Sequence, residues 1–219
     1  ELVVYGLRLR AQVSAAHAAE GEGARATVKQ ILHGALFRGR MIAKERLEAG
    51  EHGLAVARLL AAVADEVVAA LYDYTTTHLF RARNPTEGER FSVGGYGRGE
   101  LAPSSDLDLL FLRAYKQTPF AESVTEYMLY MLWDMGLKVG HASRSIDECL
   151  KLAREDHTIQ TALLESRRIA GDESLAAELQ ARFRKEVAEK DHAGFIAAKL
   201  KERDERHARV GASRYMVEP

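Results

Sequence analysis

Residues 91 to 113 read Phe91-Ser92-Val93-Gly94-Gly95-Tyr96-Gly97-Arg98-Gly99-Glu100-Leu101-Ala102-Pro103-Ser104-Ser105-Asp106-Leu107-Asp108-Leu109-Leu110-Phe111-Leu112-Arg113. Phe91 to Val93 has the character of a short strand, and it stops in a turn that holds Gly94, Gly95, Gly97 and Gly99. Pro103 and the Ser104-Ser105 pair keep the following residues irregular. Asp106-Leu107-Asp108 then leads into a second apolar run, Leu109 to Leu112, again strand-like.

On a strand, residues i and i+2 project from the same face, so Asp106 and Asp108 point together with Cα atoms roughly 6.5–7 Å apart. Two carboxylates that close repel unless a cation lies between them. Mg²⁺ takes oxygen ligands from one or two carboxylates and completes its shell with substrate phosphates and water. Glycines let backbone N–H groups approach a phosphate closely, which makes Gly94 and Gly95 candidate phosphate contacts. Ser105 adds a hydroxyl. Arg98 brings a cationic fork that either holds phosphate or pins the turn through Glu100. A glycine turn alone, or an Asp-x-Asp alone, is more often a plain hairpin or a solvated loop. The order strand, Gly-Gly, ten residues, Asp-x-Asp, strand is what points to nucleotidyl transfer with Asp106 and Asp108 as catalytic metal ligands.

Around this segment the chain is ordinary. Its 219 residues carry 31 Lys+Arg against 32 Asp+Glu, so no basic excess favours a nucleic-acid or membrane surface. The single cysteine, Cys149, excludes an intramolecular disulfide and suits a reducing compartment, so a cytoplasmic location is expected. No apolar run reaches the ~20 residues that span a bilayer. No signal-peptide pattern opens the chain, which starts at Glu1 rather than Met, and a fragment of a larger protein is expected.

The periodicity predicts an α+β fold that is mostly helical, with a small sheet core flanked by helices on both sides. Residues 1–85 read as an N-terminal helical region: a short helix over Leu2–Gln12, a break at Gly21-Glu22-Gly23, a helix over Ala24–Ala49, and an amphipathic helix carrying Leu54, Val56, Leu60, Val63, Val67 and Leu71. Asn84-Pro85 marks a turn. In the core, residues 86–155, a helix starts at Pro119 and buries a stripe of Val124, Met128, Met131, Leu132 and Met135. Gly136 ends it, a third strand runs over Leu137–Arg144, and Ser145 with Glu148 forms a capping box. From Ser145 on the chain is expected to be helical, including Thr158–Arg168, Leu175–Glu189 and Phe195–Arg209; residues 156–219 form the C-terminal helical region.

The string Val93-Gly94-Gly95 … Ser105-Asp106-Leu107-Asp108-Leu109-Leu110 resembles the signature of the DNA polymerase β-like nucleotidyltransferase superfamily. Within it, Trp133-Asp134-Met135-Gly136-Leu137, then Gly140-His141-Ala142-Ser143-Arg144, then Thr161 to Arg167, are similar to the bacterial bifunctional PII uridylyltransferase/uridylyl-removing family. Spaced Lys199, Glu202 and Arg206-His207, then Ser213-Arg214-Tyr215 and Glu218-Pro219, extend the resemblance over roughly residues 88 to 219. It implies Mg²⁺-dependent transfer of UMP from UTP to a tyrosine of the PII nitrogen-regulatory signal protein, with release of pyrophosphate. Uridylyl removal and glutamine sensing belong, in that family, to further domains whose His-Asp metal pair has no counterpart here. Many superfamily members carry a third carboxylate on the third strand; here that stretch holds His141 and Arg144 and no acid, so a third metal ligand stays open. His141 is a base, a phosphate contact or a structural histidine. Two other readings stand beside this one: adenylyl or other nucleotidyl transfer to a different acceptor, and a vestigial core acting as a helical interaction module.

Overall fold

Leu109 to Leu112 is apolar on every position, the pattern of a strand covered on both faces. In the structure, a computed structural model that describes residues 2–81, 86–190 and 192–210, this run lies in the middle of a four-stranded mixed sheet. Strand β1 is Phe91–Gly95 and β2 is Leu107–Arg113, antiparallel, with Phe91 opposite Arg113 and Gly95 opposite Leu109. Strand β3, Val139–Ser145, runs parallel to β2 with Asp108 opposite Gly140 and Leu112 opposite Arg144. Strand β4, Arg167–Gly171, pairs antiparallel with β1, and the order across the sheet is β3-β2-β1-β4.

Helices cover both faces. The α-helices among the described residues are α1 (Leu2–Glu20), α2 (Arg25–Glu48), α3 (Gly53–Tyr74), α4 (Pro119–Asp134), α5 (Ile146–Glu155), α6 (His157–Leu164), α7 (Glu173–Phe183) and α8 (His192–Val210). Leu109 and Phe111, with Phe91 and Val93, pack under α1 to α4. Leu110 and Leu112, on the opposite phase, pack with Cys149 and Leu150 of α5, Leu163 of α6 and Leu175 and Leu179 of α7. The larger of the two cores thus joins the N-terminal helices and the sheet without interruption.

The caps explain where the central helices start. The Thr118 hydroxyl accepts the Ala121 N–H, with Pro119 at the first helical position of α4. Ser145 and Glu148 form the expected capping box at α5. The methionine stripe of α4 is core, with Met128 and Met131 fully buried. Gly136 ends α4 with φ +77°.

Two expectations are corrected. The first helix does not stop at Gln12 but runs to Glu20, because nothing between Gln12 and Gly21 breaks it; Gly21 then takes φ +58°. The chain after Ser145 is not helical throughout. The helix expected over Thr158–Arg168 ends at Leu164, and Arg167–Gly171 forms the edge strand β4. Two arginines and a glycine in five residues give no strand periodicity, so tertiary contacts decide this segment. The Ser92 hydroxyl donates to the Ala170 carbonyl at 3.1 Å, and Gly171, at φ +88°, lies so close to β1 that a Cβ would sit 2.5 Å from the Phe91 oxygen. The turn at Asn84-Pro85 and the stretch from Ser213 to Pro219 lie outside the described residues.

Candidate active site

Asp108 is the second residue of β2, and Asp106 lies two positions ahead of it, just before the strand begins. Leu109 onward is buried, whereas both aspartates are exposed at the end of the sheet. The chain reaches them through a tight bend. Ser104 takes a left-handed φ of 65°, and the Ser105 N–H donates to the Ala102 carbonyl at 3.1 Å. The bend places Ser105, Asp106 and Asp108 on one cavity of about 130 Å3, together with Gly95, Tyr96, Glu100, and Asp65 of α3. Four of the six residues singled out in the sequence therefore share this cavity: Gly95, Ser105, Asp106 and Asp108.

The other two lie apart. Gly94 lines a hollow on the opposite face, with Ser92, Leu110 and Leu112, against α7. Arg98 is exposed and reaches the carboxylates of Glu100 and Glu165, each at 3.7 Å. The Tyr96 N–H donates to the Asp108 carbonyl at 2.9 Å. By the alternation of an antiparallel ladder, the Gly94 N–H then faces β2 and the Gly95 N–H faces β4. A side chain at either glycine would crowd Arg167. A Cβ on Gly94 would stand 2.9 Å from the Arg167 carbonyl, and one on Gly95 would stand 3.1 Å from the Arg167 guanidinium. Beyond them Gly97 and Gly99 bend the turn with φ +93° and +74°.

Arg167 and Asp65 are the residues that sequence reasoning left out. Arg167 on β4 forms a two-pronged pair with Asp65 on α3, at 2.8 and 2.6 Å, and donates to the Gly97 carbonyl at 2.7 Å. One side chain thus ties the helix, the edge strand and the glycine turn together. The partners stand 102 residues apart, and no local pattern links them.

Among the described residues, neither Asp106 nor Asp108 has a side-chain hydrogen bond or an ion pair. Three nearby cations are engaged elsewhere: Arg58 with Glu100 at 3.4 Å, Arg98 with Glu100 and Glu165, and Arg167 with Asp65. Gly140 stands beside Asp108 in the register, and a Cβ there would collide with Asp108 Oδ1. Among the described residues no group of three or more His, Cys, Asp or Glu side chains is placed to hold a metal. Two carboxylates on a small cavity, without a side-chain partner among the described residues, fit a hard cation that keeps most of its shell for water and substrate oxygens, as Mg²⁺ does. Asp106 and Asp108 are the residues that would hold it.

A second cavity, about 190 Å3, shares Asp108 and Tyr96 and extends along β3 to α6. His141 is exposed at its rim and packs edge-on against Trp133 and Phe111, with ring centroids 6.2 and 6.5 Å apart. Burial pushes the Tyr96 phenol up to about 12, so between the two cavities it stands as a neutral hydroxyl. A larger hollow, about 630 Å3, lies elsewhere, around Tyr72 and Phe120, where Arg90 is paired with Asp172 and Glu87.

No family model matches the chain. Over its whole length it is similar to proteins named bifunctional uridylyltransferase/uridylyl-removing enzyme: 68% identical to that of Phenylobacterium zucineum and 65% to that of Caulobacter vibrioides. Over 94% of its length it is 50% identical to the enzyme of that name from a Bradyrhizobium strain. The chain spans about a quarter of the length of these curated relatives, 24% for the first two and 23% for the third. With such identity along all of its residues, the chain belongs to the bifunctional uridylyltransferase/uridylyl-removing enzyme family.

Proposed function

We propose that this chain performs the nucleotidyl-transfer reaction of that family: it moves UMP from UTP to a tyrosine hydroxyl of the PII signal protein and releases pyrophosphate. The observation that carries the reading is the pair Asp106 and Asp108, unpaired and facing one cavity with Gly95 and Ser105. The family name and the identity along the whole chain support it.

Asp106 and Asp108 would hold Mg²⁺, which would supply charge neutralisation at the α-phosphate and would make the attacking phenol more acidic. The chain's own residues position the reactants. Asp106 and Asp108 would give the ion its protein oxygens. Gly95 and Gly140, by lacking side chains, let the nucleotide and the Asp108 carboxylate come close. Ser105 offers a hydroxyl to a phosphate oxygen. Arg98 holds the turn through Glu100 and Glu165, which leaves the phosphates to other groups. The acceptor oxygen bonds to the α-phosphorus, the bond from that phosphorus to the bridging oxygen breaks, pyrophosphate leaves with the electron pair, and the phenol proton passes to solvent.

The test is transfer of label from UTP carrying a labelled α-phosphate to the PII protein. Label should appear on PII only with Mg²⁺ and should fall by several orders of magnitude in Asp106→Asn. Equal labelling by the variant, or labelling from ATP in preference to UTP, would overturn the assignment.

A further inference from the structure

The two cavities that meet at Asp108 differ in their cations. The cation on the first, Arg167, is locked to Asp65. The second is lined by Tyr96, Asp108, His141, Arg144, Thr158 and Ile159, among others, and its arginine is in a different state. Arg144 on β3 is partly buried, and among the described residues it has no hydrogen bond and no ion pair. Positions 140, 142 and 144 share the strand face that carries Asp108, and the first two are Gly140 and Ala142. Small side chains therefore lie along that face between the carboxylate and the guanidinium. A guanidinium drawn partly out of water ordinarily has an anion against it. Among the described residues, no protein anion takes that place.

We infer that Arg144 is the arginine that grips the phosphate chain of the nucleoside triphosphate, reaching it from the cavity on the β3 side of Asp108. The inference rests on the nucleotidyl-transfer reading above, which brings a polyphosphate to Asp108. Phosphate is the ligand that a planar, two-pronged guanidinium matches best. The same reasoning gives Arg98 no such task, since its fork already lies between Glu100 and Glu165.

The experiment is calorimetric titration of this chain, and of Arg144→Ala and Arg144→Lys, with Mg²⁺-pyrophosphate and then Mg²⁺-UTP. Melting temperatures are recorded for each protein. Loss of a charge-assisted bond predicts that Arg144→Ala weakens pyrophosphate and UTP alike, by about 10- to 100-fold, at an unchanged melting temperature. Arg144→Lys, which keeps the charge and loses the fork, should fall between. If pyrophosphate binding is unchanged while UTP is weakened, Arg144 touches the nucleoside and the inference is wrong. If both are unchanged, Arg144 touches neither and the inference is wrong while the transfer reading stands. If the unaltered chain binds neither ligand with Mg²⁺, the reading beneath the inference falls with it.

Discussion

At the scale of single residues the site depends on groups that are missing as much as on groups that are present. Gly140 lies directly beside Asp108, and any side chain there meets the Asp108 carboxylate. Gly140→Ala should therefore turn Asp108 away from its partner and lower transfer by about a hundredfold, the cost of misplacing a reacting group by roughly 1 Å. Steady-state kinetics check this, and a melting temperature close to that of the parent would separate displacement from unfolding. That Gly95, Ser105, Asp106 and Asp108 come together is legible in the sequence, because an Asp-x-Asp at the head of a strand is a local pattern. Arg167 and Asp65 were not, since their pairing exists only once α3 and β4 have met. The ion pair of Arg98 with Glu165, far along the chain, likewise has no local signal.

At the scale of elements, the helices that announce themselves carry both a periodic apolar face and a cap. α4 and α5 do so, with Thr118-Pro119 and the Ser145–Glu148 box. In that box the Glu148 carboxyl is held below its usual range by the Ser145 N–H and by Arg113. Ser145→Ala should cost about 1 kcal/mol, read as a lower denaturant midpoint with an unchanged slope. Strand β4 announces nothing. Its sequence, Arg167-Arg168-Ile169-Ala170-Gly171, follows a helix and lacks alternation, so its pairing with β1 overrides local preference. The length of α1 was missed for the opposite reason: a helix whose faces are only weakly distinct gives no sign of where it ends.

At the scale of the whole molecule, the sheet's far end is fastened by Arg90 and Asp172, which join the start of β1 to the start of α7. The Arg90 guanidinium holds the Asp172 carboxyl far below the usual carboxylate range. A carboxyl depressed on folding stabilises the protein at pH values above its unfolded value, about 3.9, and that contribution is lost as pH falls toward the folded value. Both partners are partly exposed, so salt screens the pair. Asp172→Asn keeps a side chain able to cap α7 and removes the charge. Thermal melts should show the variant less stable than the parent at pH 7, with the difference shrinking as pH falls below about 4. A difference that did not change with pH would assign the effect to the cap alone.

Whether Asp106 and Asp108 hold a metal-bound nucleotide is decided by calorimetric titration. Mg²⁺-UTP, Mg²⁺-ATP and Mg²⁺-CTP are titrated into the chain and into the double variant Asp106→Asn/Asp108→Asn. UTP should bind best, binding should require the metal, and it should be lost in the double variant. That variant's melting temperature should be equal or higher, because two adjacent carboxylates repel in the absence of a cation. Equal binding of Mg²⁺-UTP by the double variant, or no nucleotide binding by the unaltered chain, would contradict that role for the two aspartates.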